Sequence, residues 1–370
     1  MVQQKKIPTI AYFISYHGFG HATRAAAVMA AFKRLLPQVR FELFTNCPRP
    51  LFESAIGDDF GYFDLQADVG VVQRSPLEED FEATGRKLSA WIPFDPRLIE
   101  RAAQHLQRQG CQLVICEISP LGIAAARGAG VPSVLIENFT WDFIYEPYLE
   151  QVPGLEMYSY YLKNIFSQAD LHIQTEPVCR PAESAIQVAP ISRMPRTAPE
   201  ETRTRLKVPL DAKMVVVSMG GVPDQFRFLG RLPAAIEPYI VIPSADHLYC
   251  GHERIILLPT HSEFFHPDLL LAADLLIGKA GYSTIAEVYH TGVPFGYVPR
   301  PQSPETPALE RFIKDHLSAQ AISAQEYTEG RWFAMLPDLL KMPRGRPTQK
   351  NGADAVARLL GERFFSLPTL

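Results

Sequence analysis

Short apolar runs alternate with segments of helical periodicity, and this alternation occurs twice along the 370-residue chain. Each run is long enough for one buried strand, and each is followed by apolar residues spaced as on one face of a helix. The predicted strands of the first half are Ile7–Tyr16, Phe41–Thr45, Gln112–Glu117 and Ser133–Glu137, and those of the second are Met214–Ser218, Tyr239–Ile242, Arg254–Leu258, Leu275–Ile277 and Phe295–Val298. This order predicts an α/β protein with two parallel sheets, each covered by helices on both faces.

A proline-containing segment separates the two halves. Val188–Thr204 contains three prolines and little periodicity, which is typical of an interdomain linker. We therefore predict an N-terminal domain over residues 1–190 and a C-terminal domain over residues 205–345. Residues 346–370 should contain a helix, Ala353–Phe364, that crosses back to the first domain. Leu65–Pro93 breaks the pattern and is interpreted as an insertion or loop.

Composition narrows the functional classes. The net charge is −4, so no basic face for nucleic acid is expected. The five cysteines form no CxxC pair, which favours reduced thiols and a cytoplasmic location. No apolar stretch approaches the ~20 residues that cross a bilayer, so we predict no transmembrane segment, while contact with a membrane surface remains open.

The loop after the first predicted strand contains two histidines, His17 and His21, among glycines that include Gly20. It opens a helix, where free N–H groups attract anions. It is not a dinucleotide fingerprint, because Thr23 occupies the third glycine position. Either histidine can accept a proton from a hydroxyl group near neutral pH, although a turn or helix-capping histidine is the alternative. Glu117 ends another strand and can orient such a histidine, or it is a solvated strand-end acid.

A second glycine-containing loop lies in Ile277–Glu287, between a strand and a helix. Backbone N–H groups near Ser283 and Thr284 are suited to a diphosphate, and Glu287 to a ribose diol. The alternative is a capping box formed by Thr284 and Glu287 alone. A capping box does not explain the neighbouring glycines and lysine. The predicted residues of this diphosphate and ribose site are Gly220, Gly221, Lys279, Gly281, Tyr282, Ser283, Thr284 and Glu287.

Arg300 follows a strand and Glu305 lies on the next loop, so the two can clamp phosphate or sugar hydroxyls, or simply pair with each other. The spacing of His261, His266 and Asp268 does not make a metal site, and none is expected elsewhere.

These features resemble GT-B glycosyltransferases of the MurG and plant UDP-glycosyltransferase type. Within that group, the chain is most similar to predicted glycosyltransferases related to the N-terminal region of plant L-arabinokinases. The resemblance rests on HGFGHATR (17–24), CEISPLGIAAARGAGVPSV (116–134), ENFTWDFIY (137–145) and ADLLIGKAGYSTIAEVYHTGVPFGYVPR (273–300). It implies two Rossmann-like domains facing a central cleft.

The resemblance also implies roles for individual residues. His21 matches the general base of inverting members, and Glu117 the acid that orients it. Asn138, Trp141 and Asp142 match the acceptor side. The co-substrate is then a nucleotide sugar, with a UDP-sugar favoured and no obligatory cofactor. The acceptor, whether small molecule, glycan or lipid-linked, is left open.

Two departures from the family pattern qualify these expectations. Pro301–Glu310 replaces the glutamine-rich donor loop of MurG, which leaves the sugar and base open. The kinase domain of plant arabinokinases is not part of this sequence, so no kinase activity is expected. A nucleotide-sugar hydrolase or epimerase on the same fold, and a non-catalytic nucleotide-sugar-binding protein, are the alternative functions.

Overall fold

The computed structural model describes residues 7–220, 224–233, 235–245, 248, 250–260, 262–348 and 350–367. The chain forms two compact units. The first consists of Met1–Val72, Glu79–Ile191 and Lys350–Leu370, and the second of Gln73–Glu78 and Ser192–Gln349. None of the helices in the described ranges is long and apolar enough to cross a bilayer.

The elements up to residue 191 are, in chain order, β1 (Thr9–Ile14), α1 (Gly20–Leu35), β2 (Arg40–Phe44), α2 (Arg49–Ile56), β3 (Gly61–Phe63), β4 (Gln73–Ser75), β5 (Glu78–Glu79), α3 (Phe81–Trp91), α4 (Pro96–Arg108), β6 (Leu113–Glu117), α5 (Pro120–Ala129), β7 (Ser133–Glu137), α6 (Trp141–Tyr145), α7 (Leu155–Phe166), β8 (Leu171–Thr175) and β9 (Ile186–Val188). A 3₁₀ turn, Glu146–Tyr148, follows α6.

The elements after residue 191 are α8 (Pro199–Arg205), β10 (Met214–Ser218), β11 (Tyr239–Ile242), β12 (Ile255–Leu257), α9 (His266–Ala272), β13 (Leu275–Lys279), α10 (Tyr282–Thr291), β14 (Phe295–Val298), α11 (Thr306–His316), β15 (Ala319–Ala321), α12 (Ala324–Glu329), α13 (Leu336–Leu339) and α14 (Gly352–Phe365). Two 3₁₀ turns, Arg227–Arg231 and Arg331–Met335, complete this part.

The first unit is built on a seven-stranded sheet in the order β3-β2-β1-β6-β7-β8-β9. All of its pairings are parallel. The order reverses between β1 and β6, because the chain fills one side of β1 before it returns to the other. Ligands of open parallel sheets bind beyond the carboxyl ends of the strands at such a reversal. In the first unit these ends carry the loop after β1 and Glu117, which pairs with Ile14 across the sheet.

Helix α14 packs in the core of the first unit. Val356, Ala357 and Leu360 are fully buried in the same cluster as the apolar face of α1 and the inner residues of β1 and β2. Asn351 caps α14, since its side chain accepts a hydrogen bond from the N–H of Ala353 at 3.0 Å. Gly352 lies against the carbonyl of Ala189, where a Cβ would collide with the backbone. The chain therefore returns to the first unit at residue 350.

The second unit contains a six-stranded parallel sheet in the order β12-β11-β10-β13-β14-β15. Its order reverses between β10 and β13. Gly278 lets these two strands approach closely, because a Cβ on Gly278 would overlap the carbonyl oxygen of Ser218. The glycine at position 278 is therefore explained by the packing of β10 against β13.

Three segments predicted as a linker or as loops contain helices. Pro199, interpreted as part of the linker, is the first residue of α8, where a missing N–H costs nothing. Pro307 likewise lies in the first turn of α11, within the segment predicted to be a donor-side loop. In the insertion Leu65–Pro93, α3 begins at Phe81 and is capped by Asp80, which accepts a hydrogen bond from the N–H of Ala83 at 2.8 Å.

Candidate active site

His21 lies in the first turn of α1, directly after the loop that leaves β1, and its side chain is mostly buried. Gly18 in this loop has φ +73°, a conformation that favours glycine and turns the chain into the helix. His21 Nδ1 lies 3.3 Å from Glu117 Oε1. The predicted neighbours therefore contact each other, while their catalytic roles remain predictions.

Arg24, one turn further along α1, binds the same carboxylate. Its Nε donates to Glu117 Oε1 and its NH1 donates to Asn138 Oδ1. Glu117 is fully buried, and its Oε2 has no hydrogen-bond partner within the described part of the chain. Arg24 is the last residue of the HGFGHATR motif, but the sequence predicted no role for it. Its spacing of three residues from His21 on a helix is the signal that indicates a shared face.

Asn138, predicted to line the acceptor side, bonds to protein through both ends of its amide. Its Nδ2 donates to the carbonyl oxygens of Thr175 at 2.6 Å and Pro177 at 3.1 Å, which leaves Oδ1 directed at Arg24. The residue is 2% exposed. In the structure Asn138 therefore holds the guanidinium against Glu117.

Trp141 packs edge-on against both histidines, with ring centroids 5.6 Å from His17 and 6.3 Å from His21. Although it was predicted to face the acceptor, its side chain is 1% exposed. Its neighbour Asp142 is half-buried on α6. Trp141 Nε1 donates to Asp68 Oδ2 at 2.7 Å.

Asp68 was missed by sequence reasoning, and it lies in a segment that several hydrogen bonds hold at the ends of β6 and β7. Ser119 Oγ donates to the carbonyl of Ala67 at 2.9 Å, and Tyr145 Oη donates to that of Gly70 at 2.7 Å. Gly70 has φ +62° and packs on the His17 ring, which a Cβ would approach to 3.1 Å. Residues 67–70 thus form one wall around the two histidines.

Burial raises the pKa of the Asp68 carboxyl from 3.8 to about 6, even though the Trp141 hydrogen bond and the charge of His21 act in the opposite direction. Desolvation penalises the charged form of a carboxyl group, which is why it dominates in this 7% exposed residue. Perturbed carboxyl groups of this kind concentrate at functional sites.

The second set of predicted residues lies at the strand reversal of the second sheet. Gly220 follows β10 with φ +76°, and the Lys279 side chain, at the end of β13, passes beside it. Gly281 also lies against the aliphatic part of Lys279. Gly221 lies outside the described residues. The lysine and the two described glycines thus surround the beginning of α10.

Helix α10 begins without a side-chain cap. Its N-cap residue is Gly281, which has no side chain to accept a hydrogen bond from the helix. Tyr282, Ser283 and Thr284 form the first turn. The alternative of a capping box formed by Thr284 and Glu287 is therefore wrong, because Thr284 is not the N-cap. The N–H groups of a first helical turn have no intrahelical acceptor, and together with the helix dipole they favour an anion.

Glu287 is buried in α10 and bonds to a residue that was not assigned to the site. His266 Nδ1 lies 2.6 Å from Glu287 Oε2, while His266 Nε2 lies 3.1 Å from Ser218 Oγ at the end of β10. Arg193 NH2 lies 3.5 Å from Glu287 Oε1. Burial favours the neutral acid, but the charges and hydrogen bonds of His266 and Arg193 outweigh it and hold the pKa of Glu287 below its ordinary value. Glu287 is therefore a preoriented carboxylate.

Arg300 and Glu305 pair with each other, which was the alternative to a phosphate clamp. Arg300 NH2 donates to both carboxylate oxygens of Glu305, at 2.6 and 3.2 Å, and both side chains are largely buried. A role of either residue in donor binding stays a prediction. Among the described residues, no group of three or more His, Cys, Asp or Glu is arranged to hold a metal ion.

Comparison with known proteins agrees with this architecture. Residues 259–358, which contain β13, α10 and the Arg300–Glu305 pair, match the glycosyltransferase family 28 C-terminal domain. MurG of Acinetobacter baumannii is similar in structure, with a TM-score of 0.56 and 17% identity over 96% of this chain and 99% of that one. The protein thus has the GT-B fold, with two Rossmann-like parallel-sheet units, as the resemblance implied.

Two relatives in sequence extend the match. The chain is 26% identical to the L-arabinokinase of Arabidopsis thaliana over 95% of its length, but it spans only 34% of that protein. It is 24% identical to an uncharacterized glycosyltransferase of Methanopyrus kandleri, over 71% of this chain and 78% of that one. The matched C-terminal domain and this second relative are both described as glycosyltransferases, so the chain is similar to glycosyltransferases in sequence as well as in fold.

Proposed function

We propose that the protein transfers a sugar from a nucleoside diphosphate donor, with a UDP-sugar favoured, to a hydroxyl group of the acceptor, with inversion at the anomeric carbon. The observation that carries the proposal is that both groups of candidate residues lie at the strand reversals of their sheets, where parallel sheets bind ligands. His21 serves as the general base in the first unit, and the start of α10 receives the diphosphate in the second.

The reaction is a single displacement. The imidazole of His21 removes the acceptor proton, the acceptor oxygen bonds to the anomeric carbon, and the bond from that carbon to the diphosphate breaks. The bond pair leaves with the diphosphate. Backbone N–H groups of the first turn of α10 and the ammonium group of Lys279 stabilise its growing charge; one preorganised donor of this kind contributes about 3 kcal/mol.

The Glu287 carboxylate is proposed to accept hydrogen bonds from the ribose diol. Its contacts with His266 and Arg193 use one side of each oxygen, and an ionised carboxylate has about four acceptor positions. Because its low pKa keeps it ionised at neutral pH, Glu287 needs no proton release to bind the diol. The same contacts hold its side chain in one orientation before the nucleotide arrives.

The base assignment is tested with His21→Ala. We expect sugar transfer to fall by about a hundredfold to ten-thousandfold, the usual contribution of a general base, with nucleotide affinity unchanged. His316→Ala is the matched control, because His316 is exposed in the last turn of α11, where its ring packs on Phe312. Unimpaired transfer in His21→Ala contradicts the assignment, and His17→Ala then tests the other histidine.

The donor assignment is tested by ligand-induced stabilisation with UDP, GDP and dTDP, because a ligand at 100 times its Kd raises stability by about 2.7 kcal/mol. UDP should stabilise the protein most. UDP should also bind more tightly than 2′-deoxy-UDP by about tenfold to a hundredfold, and Glu287→Gln should abolish this difference. Glu263→Gln, whose side chain is 74% exposed, should retain it.

The same assays separate the alternatives. Donor consumption without an acceptor, undiminished by added acceptors, indicates a hydrolase or an epimerase. Donor binding without turnover for any acceptor indicates a binding protein. An unchanged preference for UDP over 2′-deoxy-UDP in Glu287→Gln refutes the diol assignment alone.

A further inference from the structure

The negative charge of Glu117 is already balanced by Arg24. The guanidinium contacts Glu117 Oε1 through Nε and NH2, closer than the 3.3 Å that separates the same oxygen from His21 Nδ1. Both charges of this pair are buried, with side chains 6% and 0% exposed. Because the guanidinium contacts this carboxylate directly, its positive charge offsets much of the attraction that Glu117 exerts on a proton at His21. A proton on His21 would then leave the cluster with one excess positive charge.

Asp68 supplies a second carboxylate to this cluster. It bonds through Oδ2 to Trp141 Nε1, and the ring of Trp141 packs edge-on against His21. The charges of His21 and Asp68 also interact, because the charge of His21 acts to lower the pKa of the Asp68 carboxyl group. Unlike Glu117, Asp68 has no arginine, lysine or histidine within salt-bridge distance among the described residues.

The ionisable groups around these two side chains come from four elements. Arg24 lies on α1, Glu117 ends β6, Tyr145 lies on α6 and Tyr12 lies on β1, while His17 shares Trp141 with His21. Burial raises the pKa of both tyrosines well above the ordinary value, so neither carries charge near neutral pH. The charges that remain are Arg24, Glu117 and Asp68, together with either histidine when protonated.

We propose that Asp68 is a positioning residue that balances the positive charge His21 acquires when it removes the acceptor proton. The proposal rests on the role of His21 as the base. The proton passes from the acceptor oxygen to the imidazole and stays there, and Asp68 remains a carboxylate throughout. With Asp68 ionised, the protonated cluster contains two positive and two negative groups.

The first experiment is the titration of His21 in the free protein, followed by NMR of the imidazole, in the wild type and in Asp68→Asn. The amide oxygen of asparagine can keep the Trp141 hydrogen bond while the charge is lost. In Asp68→Asn we expect the midpoint of the His21 titration to move down by about one pH unit, the usual effect of removing one nearby opposite charge. Asp68→Glu restores a carboxylate and should move the midpoint back towards the wild-type value.

The reciprocal experiment follows the Asp68 carboxyl group by carbon NMR in the wild type and in His21→Ala. Coupling between two ionisable groups has the same size seen from either one. The Asp68 midpoint should therefore rise by about the amount that the His21 midpoint falls. This second measurement also decides the question if Asp68→Asn fails to fold.

Activity provides a third readout. In Asp68→Asn, the acidic limb of the pH dependence of kcat should shift to lower pH, and the plateau should fall by about tenfold because the base is weaker. KM for the donor should stay unchanged. A purely structural role would instead lower Tm and leave both midpoints in place.

Unmoved midpoints in a folded Asp68→Asn, or in His21→Ala, overturn the proposal. This result is distinguishable from a failure of the proposed function, because both titrations are measured without donor or acceptor. If His21→Ala loses sugar transfer but the titration midpoints do not move, His21 is still supported as the base and the role of Asp68 is refuted. If the midpoints shift but the protein shows no sugar transfer, the charge coupling is confirmed and the proposed reaction is refuted.

Discussion

Replacing Arg24 with leucine tests how the buried cluster at the end of β6 is held together. Arg24→Leu keeps an apolar stem on α1 but removes the cation from Glu117, which is fully buried. It also removes the donor that Asn138 Oδ1 accepts. Leaving one charge of a buried pair without its partner typically costs about 3–5 kcal/mol. We therefore expect the free energy of unfolding of the first unit to fall by about that amount.

The same helix offers a matched control. Arg34 also lies on α1 and pairs with Asp354 on α14 at 2.5 Å, but the two side chains are 60% and 55% exposed. Exposed pairs contribute about 0.2–1 kcal/mol, so Arg34→Leu should cost less than about 1 kcal/mol. Chemical denaturation combined with hydrogen exchange of the α1 peptide measures both variants in the first unit itself.

A double variant sharpens the test. Arg24→Leu with Glu117→Leu removes both charges, and replacing a buried pair by apolar residues is often neutral. It should therefore recover more than half of the loss seen in Arg24→Leu. Equal losses for Arg24→Leu and Arg34→Leu, or a double variant no more stable than Arg24→Leu, would refute the reasoning.

Two further predictions concern stability in the first unit. Folding raises the pKa of Asp68 to about 6. Between about pH 4 and 6 the folded state therefore binds more protons than the unfolded state, so the free energy of unfolding falls as the pH rises through this window. Asp68→Asn should lack this loss, worth up to about 3 kcal/mol, in denaturation curves at pH 4 and 7.5; identical pH dependence in both proteins would contradict it. In Gly122→Ala, the new Cβ would lie 2.7 Å from Phe13 Cβ and 2.8 Å from Cys116 Sγ. It should cost about 1–3 kcal/mol by overpacking, whereas the control Gly230→Ala in the second unit, at a glycine with open space, should change stability by less than about 0.5 kcal/mol.

Much of the fold could be predicted because parallel strands buried on both faces consist of almost unbroken apolar residues. Ser133–Glu137, Met214–Ser218, Tyr239–Ile242 and Phe295–Val298 form the strands predicted for them. The short edge strands β3, β9 and β15 were missed, since none of them contains a long apolar run. The internal strand β8 was also missed, because His172 and Gln174 interrupt its apolar residues. Prolines misled the prediction where they begin helices, as Pro199 does.

The candidate site was predictable only where it lies in strand-to-helix loops. His21 and Glu287 belong to such loops or to the helices that follow, and their position depends on local sequence. Asp68 belongs to a segment without periodicity, and it reaches His21 only through tertiary contacts with Trp141. The contact between His266 and Glu287 likewise joins the first residue of α9 to the middle of α10, so no spacing along the chain indicates it.

The return of α14 to the first unit has a consequence for the order of events during synthesis. The face of α1 that packs on Val356 and Leu360 stays uncovered until residues 352–365 have left the ribosome. The second unit, over Ser192–Gln349, is by then fully synthesised. Domains usually complete their folding from the N-terminus onward. In this chain, the unit that emerges first is therefore the one that completes its folding last. Until then, the uncovered apolar face of α1 is the surface that a chaperone would bind.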